Sequence, residues 1–369
     1  MQSFDFQSST RVVFGENALD QLGDLTKELA GRCVLVVTDS GIVRAGIVER
    51  ALDSLQAANL ETFVFDGVEE NPTSRHVADG AQFAKDQGGI NLLIGLGGGS
   101  AMDCAKGINF ILTNGGRMED YWGVDKATKP MLPSIGIPTT AGTGSEAQSF
   151  ALISQEGTHQ KMACGDKKAQ FRTVILDPVL TTTTPKEVTA ATGIDAISHA
   201  VESYVSTRRN PISQMFAKEA WQLLENSFEV VVSDPKNIEA RSRMLLGAHL
   251  AGAAIENSML GAAHACANPL TARYNITHGI AVGLMLPSAI RFNSQVVATL
   301  YQDLYPSPLH ERISELKEAA RLPERLSDFE IQREDLSQLA EAAAKEWTGK
   351  FNPRQVSTVE LLKLYEATY

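Results

Sequence analysis

Asn91-Leu92-Leu93-Ile94-Gly95-Leu96 runs without a break into Gly97-Gly98-Gly99-Ser100, and Ala101-Met102-Asp103-Cys104-Ala105-Lys106 follows. The first six residues are nearly all apolar and read as a strand buried on both faces, as in a parallel sheet covered by helices. Three glycines turn the chain, and the residues after them open a helix. Strand, glycine turn and helix N-terminus together present backbone N–H groups and the positive end of a dipole to an anion such as pyrophosphate. Gly97, Gly98, Gly99 and Ser100 are therefore candidate phosphate-binding residues, with Asp103 in the first turn behind them. A glycine triplet can equally be a plain tight turn, so its surroundings decide.

Those surroundings repeat the pattern. Apolar runs at 33–38, 62–65, 91–96, 134–137 and 174–176 alternate with helical stretches at about 16–29, 42–57, 74–87 and 100–111. Residues 1–180 thus read as an α/β dinucleotide-binding domain with a parallel sheet. After Asp177-Pro178 the period becomes helical, with segments near 185–206, 211–231, 236–256, 281–292, 308–320 and 333–347, so 181–369 reads as an all-helical domain. Two cores suit a chain of 369 residues.

In the common dinucleotide fold the glycines follow the first strand and an acidic residue comes about 20 positions later. Here Asp39 ends the first strand, and the glycines follow the third. A carboxylate at Asp39 can bind a ribose 2′-hydroxyl and would repel a 2′-phosphate, which favours NAD over NADP; it can also simply cap the helix after it. A second polar loop, Pro138-Thr139-Thr140-Ala141-Gly142-Thr143-Gly144-Ser145-Glu146, offers hydroxyl donors between glycines, again at a strand end.

A formal charge of −11 argues against a nucleic-acid partner and leaves small molecules. No run of about 18 apolar residues predicts a membrane span. The start Met1-Gln2-Ser3-Phe4-Asp5 lacks the features of a secretory signal. Four scattered cysteines, Cys33, Cys104, Cys164 and Cys266, fit free thiols in a reducing cytoplasm.

Asp195 and His199 lie four apart, on one face of a helix and about one turn from each other, so they can meet one ion. Alone they would pass for a surface pair. His264 and His278 are further candidates, yet on one straight helix they would stand about 21 Å apart, too far to share an ion. Pro269 and the Asn275–Gly279 stretch are plausible breaks that let the chain fold back. Asp with three His is a mixed donor set suited to Fe(II) or Zn(II) rather than Ca(II) or Mg(II). His76, His159, His249 and His310 are expected to have no metal role, and Cys266 is expected to pack.

These motifs in this order, with Asn352-Pro353-Arg354 near the end, resemble the iron-containing, group III alcohol dehydrogenase family over nearly the whole chain. The resemblance implies a metal, Fe(II) or alternatively Zn(II), held by Asp195, His199, His264 and His278. It implies NAD, alternatively NADP, along Asp39, Asn71, Gly97, Gly98, Gly99, Ser100, Asp103, Thr139, Thr140, Thr143, Lys161 and Leu180, and a homodimer. The implied reaction interconverts an alcohol and an aldehyde or ketone by hydride transfer. Related branches (glycerol dehydrogenase, maleylacetate reductase, a dehydroquinate synthase-like lyase) and a non-catalytic nucleotide-binding protein stay open at this point. One position departs from the family: where members often carry a second histidine four residues after the third ligand, this chain has Asn268, whose amide cannot shuttle a proton as imidazole does.

Overall fold

The computed structural model describes residues 3–7, 9–158 and 160–369, so His159 lies outside the described residues. The chain divides into two compact units. Gln7–Thr140 and Ser145–Thr184 form one; Pro185–Tyr369, with the N-terminal residues to Phe6 and Ala141–Gly144, form the other.

The first unit carries strands β1 (Arg11–Phe14), β2 (Cys33–Asp39), β3 (Glu61–Val68), β4 (Leu92–Gly97), β5 (Gly123–Val124), β6 (Ser134–Pro138), β7 (Phe150–Ser154), β8 (Lys161–Gly165) and β9 (Thr173–Leu176). Its helices are α1 (Leu22–Glu28), α2 (Ser40–Arg44), α3 (Ile47–Ala57), α4 (Ser74–Gln87) and α5 (Gly99–Asn114). Six strands pair in parallel in the order β1-β9-β6-β4-β2-β3. The five apolar runs are β2, β3, β4, β6 and β9. Along β2, Val34 and Val36 pack on one face with Leu22 and Leu25 of α1 and Ile47, Ala51 and Leu55 of α3. Leu35 and Val37 pack on the other with Val77 and Ala81 of α4 and Cys104 and Ile108 of α5. Both faces are covered, and each fully buried Val or Leu contributes roughly 1.5–3 kcal/mol.

Three details differ from the sequence reading. The stretch 42–57 is two helices, because Gly46 takes a left-handed φ of 73° between them. The edge strand β1 and the small sheet β5-β8-β7, with β7 and β8 antiparallel, had no signal, being short or mixed in polarity. At the N-terminal end of the sheet, Asn91 ties neighbours together: its Oδ1 accepts from Arg32 N and Cys33 N, and its Nδ2 donates to Ala30 O.

The strand order reverses between β2 and β4. From β2 the chain moves outward to β3, and from β4 it moves the other way to β6. The helices that follow, α3 and α5, cover opposite faces. A crevice therefore opens beyond the carboxyl ends of β2 and β4, where ligands of open α/β sheets bind. Asp39 ends β2 and Gly97 ends β4.

The second unit is built from α6 (Lys186–Val205), α7 (Pro211–Ser233), α8 (Ile238–Glu256), α9 (Ala262–Tyr274), α10 (His278–Leu304), α11 (Leu309–Ala319), α12 (Leu336–Ala343) and α13 (Thr358–Thr368). Asn210 starts α7 by accepting from Ile212 N and Ser213 N, ahead of Pro211 in the first turn. Helices α9 and α13 are additions to the expected set, and α10 extends well beyond the expected 281–292. By length and composition α10 could cross a membrane, but 67% of its most apolar window is buried inside the protein, as in an interior helix.

Pro269 does not break the chain. It sits inside α9, and the reversal comes at Asn275, which takes a left-handed φ of 54°, just before α10. Helix α10 then runs hard against α6: a Cβ at Gly279 would stand 1.9 Å from the Ala191 carbonyl oxygen. Only glycine fits there.

Candidate metal centre and dinucleotide cradle

Asp195 and His199 project from α6, His264 from the first turn of α9, and His278 is the first residue of α10. The reversal before α10 thus brings His278 back to α6. Nε2 of His199, His264 and His278 lie 3.5, 3.6 and 4.0 Å from Asp195 Oδ1. Ligand atoms about 2.1 Å from a tetrahedral ion stand about 3.4 Å apart, so the arrangement is close to that of a four-ligand site. Ligand atoms of Asp195, His199 and His264 all fall within 4.8 Å of one another. Those three residues are buried; His278 is about a quarter exposed, at 27%.

Polar accounting also fits a cation. Asp195 Oδ1 and His264 Nε2 are buried without a hydrogen bond, which is costly unless something charged joins them. Burial opposes charge on Asp195, but His199 and the other imidazoles more than offset it and hold the carboxyl well below the usual range. Burial likewise opposes charge on His264, yet Glu202 and Asp195 push its imidazole up to about 9. Burial dominates at His199 and lowers its value. The ionised Asp195 carboxylate among three imidazoles is a donor set that fits a divalent cation.

Behind His264 stands Glu202, a residue that the sequence analysis did not single out. It is buried at 4% exposure; Oε2 accepts from His264 Nδ1 at 2.5 Å and Oε1 from Ala263 N at 2.7 Å. The signal was available, since 195, 199 and 202 follow the i, i+4, i+7 spacing of one helix stripe. Asn352 is equally structural: its Oδ1 accepts from Ala262 N and from Asn293 Nδ2. Arg354 lies over the Phe292 ring, 3.8 Å from its centroid, and donates to Phe292 O. The Asn-Pro-Arg motif therefore fastens α9 and α10. Asn268, one turn past His264, donates its amide to Glu346 Oε2 at 2.7 Å. Cys266 is fully buried and packs.

In the α/β unit, Gly97 has a φ of 148°, and a Cβ there would crowd Ala101 Cβ at 2.9 Å and Asp39 Oδ2 at 3.4 Å. Gly98 is the N-cap of α5 and Gly99 its first residue. Asp39 divides its two oxygens: Oδ1 caps α2 by accepting from Gly41 N and Ile42 N, while Oδ2 is directed to the glycine turn. The two roles weighed for Asp39 are thus compatible. Thr139 N donates to Gly97 O, and Thr140 flanks Gly98. Thr143 belongs to the helical unit instead.

Asn71 takes a left-handed φ of 53° beyond the end of β3, and His76 closes the cap of the helix after it by accepting from Thr73 N. Asp103 is buried at 5% exposure; desolvation raises its carboxyl against the opposing charges of Lys106 and Lys161. Lys161 itself is half-buried on β8. Leu180 is buried in the core with Leu96 and Ile137. His249 is buried on α8 and His310 partly exposed on α11.

Comparison with known proteins settles the family. The model for "Iron-containing alcohol dehydrogenase" matches residues 9–178, and that for the C-terminal part of the Fe-containing alcohol dehydrogenase family matches 189–369. The chain belongs to the iron-containing alcohol dehydrogenase family. Alcohol dehydrogenase 4 of Schizosaccharomyces pombe is 36% identical over 366 residues, 96% of this chain and 86% of that one. A crystal structure of 1,3-propanediol oxidoreductase superposes with a TM-score of 0.96 at 32% identity, covering 100% of both chains. Sulfoacetaldehyde reductase from Bifidobacterium kashiwanohense, solved with NAD+, superposes with a TM-score of 0.92 at 27% identity, covering 100% of this chain and 99% of that one. This dehydrogenase is accordingly an oxidoreductase that interconverts alcohols and carbonyl compounds.

Proposed function

We propose that the protein is an NAD-linked dehydrogenase of a small alcohol, with Asp195, His199, His264 and His278 holding one Fe(II), or alternatively Zn(II), and that it acts as a homodimer in the cytoplasm. The convergence of three Nε2 atoms on Asp195 Oδ1 at 3.5–4.0 Å carries this reading. A divalent ion held there supplies Lewis acidity that lowers the pKa of an alcohol hydroxyl and polarises a carbonyl.

The remaining work falls to the chain's own residues. Gly97, Gly98, Gly99 and Ser100 offer backbone N–H groups and the α5 N-terminus to the pyrophosphate. Asp39 Oδ2 accepts from ribose hydroxyls and disfavours a 2′-phosphate, hence NAD rather than NADP. Asn71, Asp103, Thr139, Thr140, Thr143, Lys161 and Leu180 complete the cofactor's surroundings. Asn268 has no acid–base pair at neutral pH, so the hydroxyl proton leaves through water or ribose hydroxyls.

Charge and cysteine use support the setting: a net −11 disfavours nucleic acid, and all four cysteines are buried as free thiols. The dimer finds support in β1, a sheet-edge strand that leaves Val12 and Phe14 more than 40% exposed and its outer ladder unpaired among the described residues.

His264→Ala tests the reading. It is expected to lose bound metal and at least about 100-fold in kcat/KM, the scale of several kcal/mol of Lewis-acid stabilisation. Unchanged metal content and NADH-linked turnover would sink it.

A further inference from the structure

We infer that Glu202 is a positioning residue of the metal set: it holds His264 in the tautomer that leaves Nε2 free to ligate, and it supplies the second negative charge that a buried dication requires. This rests on reading Asp195, His199, His264 and His278 as ligands.

Both Glu202 oxygens are committed. Oε1 takes Ala263 N–H and Oε2 takes the His264 Nδ1 proton. An ionised carboxylate only accepts, so Nδ1 carries a hydrogen and Nε2 is the nitrogen left to ligate, giving up any proton it holds to an incoming metal. That nitrogen faces Asp195 Oδ1 at 3.6 Å. Gly261 makes room for the arrangement, since a Cβ there would meet Glu202 Oε1 at 3.0 Å and Asn352 Oδ1 at 2.8 Å.

Charge gives the second half of the inference. With neutral histidines, Asp195 and Glu202 contribute two negative charges to a buried centre, which a dication balances. A neutral residue at 202 would leave one positive charge uncompensated where burying charge is costly. Nor can glutamine reproduce the hydrogen bonds. If its oxygen faces His264, its NH2 confronts Ala263 N–H; if reversed, its NH2 donates to Nδ1 and forces the proton onto Nε2.

The test measures Zn(II) affinity by chelator competition and the visible bands of the Co(II)-loaded protein, on Glu202→Gln, Glu202→Asp and Asn352→Ala. Glu202→Gln is expected to weaken Zn(II) binding about 10- to 100-fold and to shift the Co(II) bands. Glu202→Asp keeps the charge but not the reach and falls between. Asn352→Ala removes the other cap at the start of α9, at Ala262 N; it is expected to lower Tm while losing much less Zn(II) affinity than Glu202→Gln. Wild-type affinity in Glu202→Gln, or an equal loss in Asn352→Ala, overturns the inference. A wild-type protein that binds no metal overturns it together with the functional reading, whereas one that binds metal but oxidises no alcohol overturns only the latter.

Discussion

Replacing Gly279 with alanine puts the union of α6 and α10 under direct strain. The added Cβ would lie 1.9 Å from Ala191 O, 2.7 Å from Ala191 C and 3.3 Å from Asp195 Cβ. Real Cβ contacts essentially never fall below 3.0 Å, so the helices must part by more than 1 Å. The obstacle is helix backbone and cannot swing aside. Overpacking of this kind costs about 1–3 kcal/mol and sometimes more. Gly279 directly follows His278, and Ala191 lies one turn before Asp195, so the same displacement moves two proposed ligands apart. A ligand bond near 2.1 Å does not survive an extra ångström. Gly279→Ala is therefore expected to lower Tm and also to weaken Zn(II) binding by at least about 100-fold, the upper end for losing a supporting contact. Gly283→Ala grades the response, because its Cβ would meet only the Ile194 side chain, at 3.2 Å, and should cost less than about 1 kcal/mol. Chelator competition and thermal melts of apo and loaded protein measure both. If Gly279→Ala keeps wild-type metal affinity and Tm, the placement of α10 against α6 is wrong.

Two further outcomes are expected. Asp39→Asn keeps a good helix cap but loses the charge, so the preference for NADH over NADPH should fall about 10- to 100-fold while Tm barely moves; an unchanged ratio of kcat/KM values would remove Asp39 from cofactor selection. Lys317 is 4% exposed, and burial lowers its amine from 10.5 to about 8 despite Glu324 and Asp328. Below about pH 8 both folded and unfolded chains carry the charge and the burial penalty is full. Between about 8 and 10.5 the folded state has shed the proton, so stability climbs with pH. Lys317→Met should thus stabilise by up to about 3 kcal/mol at pH 7 and much less at pH 10, checked by urea unfolding at both; an equal gain at the two pH values would contradict burial as the cause.

What could be read from the sequence follows from how each element is buried. β2, β4 and β6 are covered on both faces and so spell themselves out as apolar runs. β1 lies at the edge with one neighbour, and β7 and β8 form a small hairpin with mixed faces, so neither carries that signal. Helix α9 stayed hidden because Ala262–Tyr274 is rich in alanine and holds Pro269, which reads as a break. Within the helix the proline removes one hydrogen bond, and the packing of α9 on its neighbours outweighs the loss. For the site, Asp195 and His199 were legible by local spacing. His264 and His278 required the turn at Asn275, and the partnership of Glu202 with His264 spans 62 residues, beyond any local pattern.

Asn91 gives the sheet a division of labour. Its amide fastens the amino ends of β2 and β4 by three hydrogen bonds, at the opposite end of those strands from Asp39 and Gly97. One edge of the sheet is thus a foundation and the other a workbench. Changes at the foundation register as altered stability with chemistry intact, and changes at the workbench do the reverse. Such a scaffold can exchange its loops without putting its footing at risk.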